Sequence, residues 1–347
     1  MAAGRAGIRV GMLAPIAWST PPEHYGPWEQ VASTLTEALI DLGVSVTLYA
    51  TGDSRSRAPI VSVVEHGYEV DPGYDVKVYE ALHIARCFED AAAGELDLIH
   101  NHFDFLPLAW TRLVPTPTVT TIHGFSSENI LPAYRRYDGH VHYVSISAAD
   151  RHPDLTYAAT IHHGIDLRGF EYRESPEPDG HLLAFGRIHP DKGTDLAIEI
   201  AQRAGRPLRI AGIVQDQTFF DDCIRPKLGT DVEFLGPLGG RDRVEALGAA
   251  TALLHPIRFA EPFGLSVIEA NACGTPVIAF ERGALPELIR HGVNGYLVAD
   301  VVGAAGAAAQ VEQLSRAKCR TEAHTRFSAE RMARDYLRLY RRLLPTA

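Results

Sequence analysis

The chain has 347 residues, of which 46% are hydrophobic, and it carries a formal net charge of −10. This length is enough for two domains with hydrophobic cores, and no stretch approaches the roughly 20 apolar residues of a membrane span. The negative charge argues against nucleic acid or an anionic lipid surface as the main partner.

Short apolar runs and amphipathic patterns alternate through the first half of the chain. The run Ile8–Ala14 contains Arg9 and is followed by Pro15, which predicts a buried strand rather than a signal peptide. A helix is predicted from Pro27 to Leu42, because proline suits a first helical position and apolar residues recur at the spacing of one helix face. Further strands are predicted at Val44–Ala50, Leu96–His100, Thr118–Ile122, Val141–Ser145 and Ala158–Ile161. This alternation predicts a parallel sheet covered by helices on both faces.

The charged segment Glu171–Gly180 contains two prolines and no periodicity, and it predicts a hinge between domains. Strands are predicted to resume at Leu182–Phe185, Leu208–Ala211, Val232–Leu235, Ala252–Leu254 and Val277–Phe280. We therefore expect two doubly wound domains in tandem, residues 1–170 and 171–325, with ligands in a cleft at the carboxyl ends of the strands. In the last segment, 326–347, a helix with a narrow apolar stripe is expected to dock on the protein rather than on a membrane.

Two carboxylates eight residues apart mark the most informative motif. Glu261 precedes a Pro-Phe-Gly turn, which opens a short apolar helix near Gly264 that contains Glu269. The first turn of a helix offers unpaired N–H groups and a partial positive charge, which suit phosphate oxygens. An unpaired carboxylate inside an apolar helix is costly, so Glu269 requires a polar partner such as ribose hydroxyls. A pair of solvated surface glutamates is the alternative, and the turn disfavours it.

Two cations follow the first strand of the second half. Arg187 and Lys192 stand five residues apart at the carboxyl end of that strand, where a guanidinium fork and an ammonium group can reach one diphosphate. Taken alone, they are equally typical of surface ion pairs. The order of residues is not that of a Walker P-loop, and the absence of a G-x-G sequence disfavours an NAD-dependent dehydrogenase.

The first half contributes a histidine and a glycine. His123 follows a predicted strand and is placed to face the cleft, although a lone histidine there is more often a satisfied polar residue. Gly26 would let the backbone approach a ligand, or it is a plain turn glycine.

None of the sixteen histidines belongs to a pattern such as H-E-x-x-H, so no metal site is expected. The four cysteines form no C-x-x-C motif, which favours reduced thiols and a cytoplasmic protein.

Together these motifs resemble the retaining nucleotide-sugar glycosyltransferases of family 4, which have the two-domain GT-B fold, over nearly the whole chain. The matching segments are Tyr25-Gly26, His123-Gly124, His163-Gly164-Ile165-Asp166, Gly186-Arg187-x4-Lys192-Gly193, Phe234-Leu-Gly236, Glu261-x7-Glu269, Gly283-x3-Glu287, Asn294-Gly295 and Phe327-Ser328. One departure is Pro27, which stands where the family usually has a second glycine and which removes a backbone N–H.

The resemblance implies roles for individual residues. Arg187 and Lys192 would hold the donor diphosphate, Glu269 the ribose, Glu261 the hydroxyls of the transferred sugar, and His123 the sugar near the reacting carbon. Further donor contacts would come from the backbone amides of Phe263, Gly264 and Leu265, from the backbone around Leu238 and from the loop at Gly26. The final helix would cross back onto the first domain.

The expected reaction is transfer of a hexose from a nucleoside diphosphate sugar, with UDP favoured by family frequency, to an acceptor hydroxyl on a small molecule or glycan. The resemblance implies retention at the anomeric carbon without a metal, with a role in secondary-metabolite, including antibiotic, or polysaccharide biosynthesis. Charge growing on the leaving oxygen would be stabilised by Arg187, Lys192 and the helix start near Gly264. A UDP-sugar epimerase of the same fold and a non-catalytic two-lobed binding protein remain alternatives. The sequence leaves the sugar, the acceptor and the oligomeric state open.

Overall fold

The computed structural model describes residues 7–23, 25–125 and 127–344. The chain divides into two compact units, the first formed by Met1–Gly164 with Ala329–Ala347 and the second by Ile165–Ser328. The chain therefore leaves the first unit once and returns to it near its end.

The first boundary differs from the predicted one, which lies after residue 170. Residues 165–170 belong to the second unit. There the guanidinium of Arg320 donates to the carbonyl oxygens of Phe170 and Leu167, at 2.7 and 3.3 Å. Because the donor is 150 positions away in sequence, the residues around position 170 give no indication of these hydrogen bonds.

The described residues of the first unit contain a seven-stranded parallel sheet with the order β3-β2-β1-β4-β5-β6-β7. Its strands are β1 (Arg9–Leu13), β2 (Ser45–Tyr49), β3 (Ile60–Val61), β4 (Leu98–Asn101), β5 (Thr118–Ile122), β6 (His142–Ser145) and β7 (Tyr157–Thr160). Its helices are α1 (Pro27–Asp41), α2 (Val76–Ala92), α3 (Leu131–Tyr137) and the final helix of the chain, α11 (Ala329–Leu343).

The final helix packs on the first unit through its apolar stripe. Met332, Tyr336 and Tyr340 are buried, and the helix lies against α1. The hydroxyl of Tyr340 lies 2.6 Å from Nδ1 of His100 on β4, so the stripe also carries polar contacts to the sheet.

The described residues of the second unit contain a six-stranded parallel sheet with the order β10-β9-β8-β11-β12-β13. Its strands are β8 (Leu182–Phe185), β9 (Leu208–Ala211), β10 (Val232–Gly236), β11 (Ala252–His255), β12 (Val277–Phe280) and β13 (Gly295–Val298). Its helices are α4 (Thr194–Ala204), α5 (Gln217–Phe219), α6 (Gly240–Ala249), α7 (Leu265–Ala272), α8 (Leu285–Leu288), α9 (Val301–Ala308) and α10 (Arg316–Phe327).

The order of the strands shows where each sheet can bind a ligand. In the first sheet the order reverses between β1 and β4, and in the second between β8 and β11. Ligands of open parallel sheets bind beyond the carboxyl ends of the strands at such a switch point. The loops that follow these four strands carry Gly26, His102, Arg187, Lys192 and Glu261. The doubly wound fold class predicted from the sequence is confirmed.

No helix in the described part of the chain combines the length and the apolar content needed to cross a membrane.

Candidate active site

The loops after β8 and β11 bring two of the predicted residues into direct contact. The ammonium nitrogen of Lys192 lies 2.7 Å from Oε2 of Glu261, and the two side chains are only 18% and 11% exposed. The approach requires Gly193, which has φ +69° and whose position would put a Cβ 2.1 Å from the carbonyl oxygen of Pro256. Charge pairing and a close backbone contact therefore fix the lysine beside the carboxylate.

Glu261 is an ionised carboxylate with one oxygen still available. Its Oε2 is also 3.3 Å from Nε2 of His255, whereas its Oε1 has no hydrogen-bond partner among the described residues. Burial by itself would raise the pKa of Glu261, but the imidazole of His255 and the charge of Lys192 outweigh it and lower the pKa to about 2. Oε1 can therefore accept a hydrogen bond from a ligand hydroxyl.

The loops that carry this pair are themselves held in place. Arg258 makes two hydrogen bonds to the carboxylate of Asp195, at 2.8 and 2.7 Å, and donates to the carbonyl oxygen of Pro190 at 2.6 Å. The backbone of Glu261 lies so close to Gly283 that a Cβ there would be 2.3 Å from its nitrogen. These contacts hold Lys192 and Glu261 in position relative to each other.

Helix α7 begins at Leu265, immediately after the turn at Gly264, which has φ +106° and provides no side-chain cap. Phe263 is buried and packs edge to face with Phe327, at 6.2 Å between ring centroids. The Pro-Phe-Gly turn thus anchors the start of the helix. Its first N–H groups donate to no capping side chain and suit an anionic ligand.

Glu269 is buried within α7, and its partner in the protein is an arginine that the sequence motifs do not identify. Nη1 of Arg243, on α6, lies 3.3 Å from Oε1 of Glu269. Burial raises the pKa of Glu269, and the arginine opposes that rise. The predicted need for a polar partner is thus met in part by a residue of a neighbouring helix.

Two predicted donor residues lie apart from this pair. Arg187 follows β8 and donates a hydrogen bond to the side chain of Gln215; within the described chain it has no ion pair with Glu261 or Glu269. Leu238 lies half-buried in the loop between β10 and α6. The structure therefore joins Lys192 to the carboxylate motif but leaves Arg187 with a neutral partner.

In the first unit, His123 lies within a line of imidazoles. Its Nε2 is 2.9 Å from Nδ1 of His102, and its Nδ1 is 3.3 Å from Nε2 of His163. The ring also stacks on Trp28, with centroids 5.5 Å apart and planes inclined by 19°. Burial lowers the pKa of His123 to about 3, so the ring is neutral at physiological pH. Sequence spacing indicated neither neighbouring histidine as its partner.

The glycine loop lies next to a second buried acid. Gly26 is buried with φ +150°, and a Cβ there would be 2.9 Å from Oε2 of Glu29, the first acidic residue of α1. Burial raises the pKa of Glu29 to about 7, against opposing hydrogen bonds to backbone groups. The glycine is required by this close approach as well as by its positive φ.

The described residues contain one group of three side chains with the spacing of metal ligands: Glu177, Asp179 and His181. Arg209 already contacts all three, at 2.8 Å to Glu177, 3.1 Å to Asp179 and 3.4 Å to Nε2 of His181. Its positive charge neutralises the carboxylates, so the group forms a salt-bridge network.

Two family models match the chain, one described as "Glycosyl transferases group 1" over residues 170–331 and the other as "Glycosyltransferase Family 4" over residues 28–169. A D-inositol 3-phosphate glycosyltransferase from Mycolicibacterium smegmatis is 33% identical over 172 residues, which are 45% of this chain and 38% of that relative. The chain thus spans less than half the length of the curated relatives it matches.

Solved structures of other proteins resemble the chain along almost its full length, among them AviGT4 and HepE. AviGT4, a glycosyltransferase involved in avilamycin A biosynthesis, has a TM-score of 0.73 and 23% identity, covering 99% of both chains. The Anabaena protein HepE in complex with UDP and glucose has a TM-score of 0.70 and 19% identity, covering 95% of this chain and 98% of that one. At these identities the similarity demonstrates a shared fold.

Proposed function

Because the chain belongs to the family 4 glycosyltransferases with the GT-B fold, we propose that it transfers a hexose from a UDP-sugar to an acceptor hydroxyl, with retention and without a metal. The observation that carries the proposal is the pair formed by Lys192 and Glu261 beside the uncapped start of α7. It puts a cation, an anion with a free oxygen and backbone N–H groups on adjoining loops.

The charges suit a sugar nucleotide better than a simple carbohydrate. A bound diphosphate would be neutralised by Lys192, by Arg187 after exchange of its neutral partner Gln215, and by the first turn of α7. Oε1 of Glu261 would accept from a hydroxyl of the transferred sugar, and Glu269 would accept from the ribose. As the glycosidic bond to phosphate lengthens, the same cations would stabilise the leaving oxygen.

The departing diphosphate can also remove the proton from the acceptor hydroxyl. The acceptor oxygen forms the new bond to the anomeric carbon while the bond to the phosphate oxygen breaks, and the leaving phosphate oxygen takes the hydroxyl proton. No separate strong base is then required. A covalent sugar adduct on Glu261 would contradict this assignment, because the carboxylate is assigned to a sugar hydroxyl.

The relatives support the substrate class. HepE binds UDP and glucose, and the mycobacterial relative is named for glycosyl transfer to D-inositol 3-phosphate. AviGT4 is involved in avilamycin A biosynthesis. We therefore expect a small polyol or sugar-containing acceptor, in secondary-metabolite or polysaccharide biosynthesis.

A thermal-shift screen followed by turnover tests the proposal. UDP and a UDP-hexose should raise the melting temperature more than GDP, ADP or their sugars, since a ligand that binds only the folded state stabilises it. Lys192→Ala should abolish the shift, whereas Lys227→Ala, at an exposed site of the same unit, should keep it. A melting temperature that no nucleotide raises would refute donor binding.

Incubation with the preferred UDP-sugar alone distinguishes the alternatives. Slow release of UDP supports a transferase, and addition of a crude extract that contains candidate acceptors should accelerate the release. A new UDP-sugar in the product spectrum would instead identify an epimerase. Binding without turnover under either condition would identify a non-catalytic binding protein.

A further inference from the structure

The loops at the switch point of the first sheet lack the charges that a phosphorylated ligand needs. The strand order reverses between β1 and β4, so a ligand of this unit should lie beyond the carboxyl ends of these strands. The loops that follow β1, β4 and β5 contain no arginine or lysine in their sequences, which are residues 14–26, 102–105 and 123–127. Burial lowers the pKa of His102 and His123, so these rings add no positive charge. Phosphate recognition relies on arginine, lysine or the start of a helix, and these loops offer neither cation.

The first turn of α1, which follows the β1 loop, is occupied by an acid of the protein itself. Pro27 has no N–H, and the N–H of Gln30 donates to the carbonyl oxygen of Gly26 at 2.9 Å. The carboxyl group of Glu29, which is 3% exposed, accepts hydrogen bonds from its own backbone N–H and from that of Trp18. A phosphate group placed at this turn would have to displace a buried carboxyl, so the turn does not substitute for the missing cations.

Asp104, in the loop after β4, holds a carboxylate on a strained backbone. Its φ of +68° is the only positive value at a residue other than glycine in the described chain. The hydroxyl of Tyr134, a fully buried residue of α3, donates to Oδ1 of Asp104. The side-chain amide of Asn101 donates to the backbone carbonyl oxygen of Asp104 at 2.8 Å. Strain of this kind persists where the surrounding structure fixes it, and it is concentrated at functional sites.

The charge of this carboxylate is not balanced by a cation of the first unit. Within residues 7–23, 25–125 and 127–344, no arginine or lysine forms an ion pair with Asp104, and no side chain donates to its Oδ2. Burial raises the pKa of Asp104 to about 6, against the opposing effects of the Tyr134 hydroxyl and the N–H of Phe105. The residue is only partly buried, so a ligand can reach it. A carboxylate held at such a cost without a cation gains most from a ligand that donates a hydrogen bond.

We propose that the acceptor is an unphosphorylated polyol or sugar and that Asp104 accepts a hydrogen bond from one of its hydroxyl groups. The inference rests on the proposed function, which assigns the donor diphosphate to ligands of the second unit. A hydroxyl would donate to Oδ2 while Tyr134 keeps Oδ1. A phosphate in the same place would meet the negative charge of Asp104 without a neutralising side chain from these loops. The acceptor therefore differs in charge from the compound after which the mycobacterial relative is named, D-inositol 3-phosphate.

Fractionation of the acceptor extract tests the charge of the acceptor without requiring its identity. A metabolite extract that accelerates release of UDP from the preferred UDP-sugar is passed over an anion-exchange resin at mildly alkaline pH. A neutral polyol or sugar flows through, whereas a phosphorylated or carboxylated acceptor is retained and elutes with salt. We expect the flow-through to accelerate UDP release and the desalted eluate to have no effect. Acceleration carried mainly by the eluate would overturn the inference.

Substitution of Asp104 tests its contact with the acceptor. Asp104→Asn keeps an oxygen for the Tyr134 hydroxyl and suits the left-handed backbone, but it replaces the second oxygen by an amide group that only donates. The amount of flow-through fraction that gives the half-maximal rate should rise about 10- to 100-fold, as expected for loss of a hydrogen bond to a charged group. The rise in melting temperature caused by UDP should persist, because its proposed ligands lie in the second unit. Glu95→Gln, at an exposed position just before β4, is the control and should match the parent.

An unchanged half-saturating amount in Asp104→Asn would overturn the role of Asp104. Asp104→Gly, which also relieves the backbone strain, should show at least as large an increase, and it replaces the first variant if that one fails to fold. Failure of the proposed function is distinguishable, because neither the whole extract nor either fraction would then accelerate UDP release by the unmodified protein.

Discussion

Lys192 supplies a charge that keeps a buried carboxylate ionised, so its replacement by methionine should have a defined effect on stability. Glu261 is 9% exposed, and its Oε2 lies 2.7 Å from the lysine nitrogen. Despite burial, which acts in the opposite direction, His255 and Lys192 lower its pKa from the ordinary value of 4.5 to about 2. A carboxyl group with a depressed folded-state pKa stabilises the fold above its unfolded pKa, and this stabilisation is lost as the pH falls through about 2.

The size of the effect follows from the two pKa values. The difference between 4.5 and about 2 corresponds to roughly 3 kcal/mol, at about 1.4 kcal/mol per pH unit. Because the histidine shares this contribution, Lys192→Met should lower the free energy of unfolding by about 2 kcal/mol at neutral pH. The loss should shrink as the pH falls from about 5 to about 2, because the carboxyl of the variant is then protonated and needs no counterion.

Urea unfolding followed by far-ultraviolet circular dichroism measures this loss in both units. Tryptophan fluorescence does not report on the second unit, because Trp18, Trp28 and Trp110 all belong to the first. Lys227→Met, at an exposed position of the second unit, is the matched control and should change stability by less than about 0.5 kcal/mol.

A double variant isolates the interaction itself. Lys192→Met combined with Glu261→Gln should be more stable than Lys192→Met alone, because no buried charge is left unpaired. An equal loss at pH 7 and at about pH 3, or a double variant no more stable than the single one, would refute the reasoning.

Four further substitutions, one of them a control, have expected outcomes. Glu269→Gln should weaken UDP binding about 10-fold by calorimetry while leaving the melting temperature close to that of the parent, because removing a carboxylate that burial disfavours offsets the loss of its ion pair with Arg243; unchanged affinity would exclude a ribose role. Gly193→Ala should lower the free energy of unfolding by about 2–4 kcal/mol through a carbonyl clash. Gly205→Ala, with a similar φ of +62° and nothing within 4 Å of its Cβ, should cost only about 1 kcal/mol; equal losses would exclude the clash. Because the raised pKa of Glu29, about 7, lets the folded protein keep a proton that the unfolded chain releases, stability should fall as the pH rises from about 4.5 to 7. Glu29→Gln should remove this fall in thermal melts between pH 5 and pH 8, and a parallel pH profile would contradict the assignment.

Most of the two sheets could be predicted because their central strands are short runs rich in apolar or β-branched residues. Strands β5, β8, β9 and β12 have the bounds that their residues predict. The sequence did not predict β3, which has two residues, or β13, which consists of Gly-Tyr-Leu-Val after an Asn-Gly pair. Both lie at sheet edges, where pairing with a single neighbour supports a strand that is too short for a periodic signal.

The candidate site could be predicted only as far as its residues are neighbours in sequence. The Glu-x7-Glu block indicated both carboxylates and the turn between them, but not His255 or Arg243, which reach them from other elements. His123 was expected near a strand end, yet its ring partners are 21 and 40 residues away. Contacts of this kind form only in the folded chain, so no spacing of residues in the sequence predicts them.

The return of α11 to the first unit has a consequence for synthesis on the ribosome. The second unit, Ile165–Ser328, is one unbroken stretch, whereas the first unit is missing α11 until residues 329–343 have emerged. His100 and Tyr340, which are 240 positions apart, meet only then. During translation the later-made unit can therefore mature first, and a nascent chain halted before residue 329 leaves the surface meant for α11 uncovered.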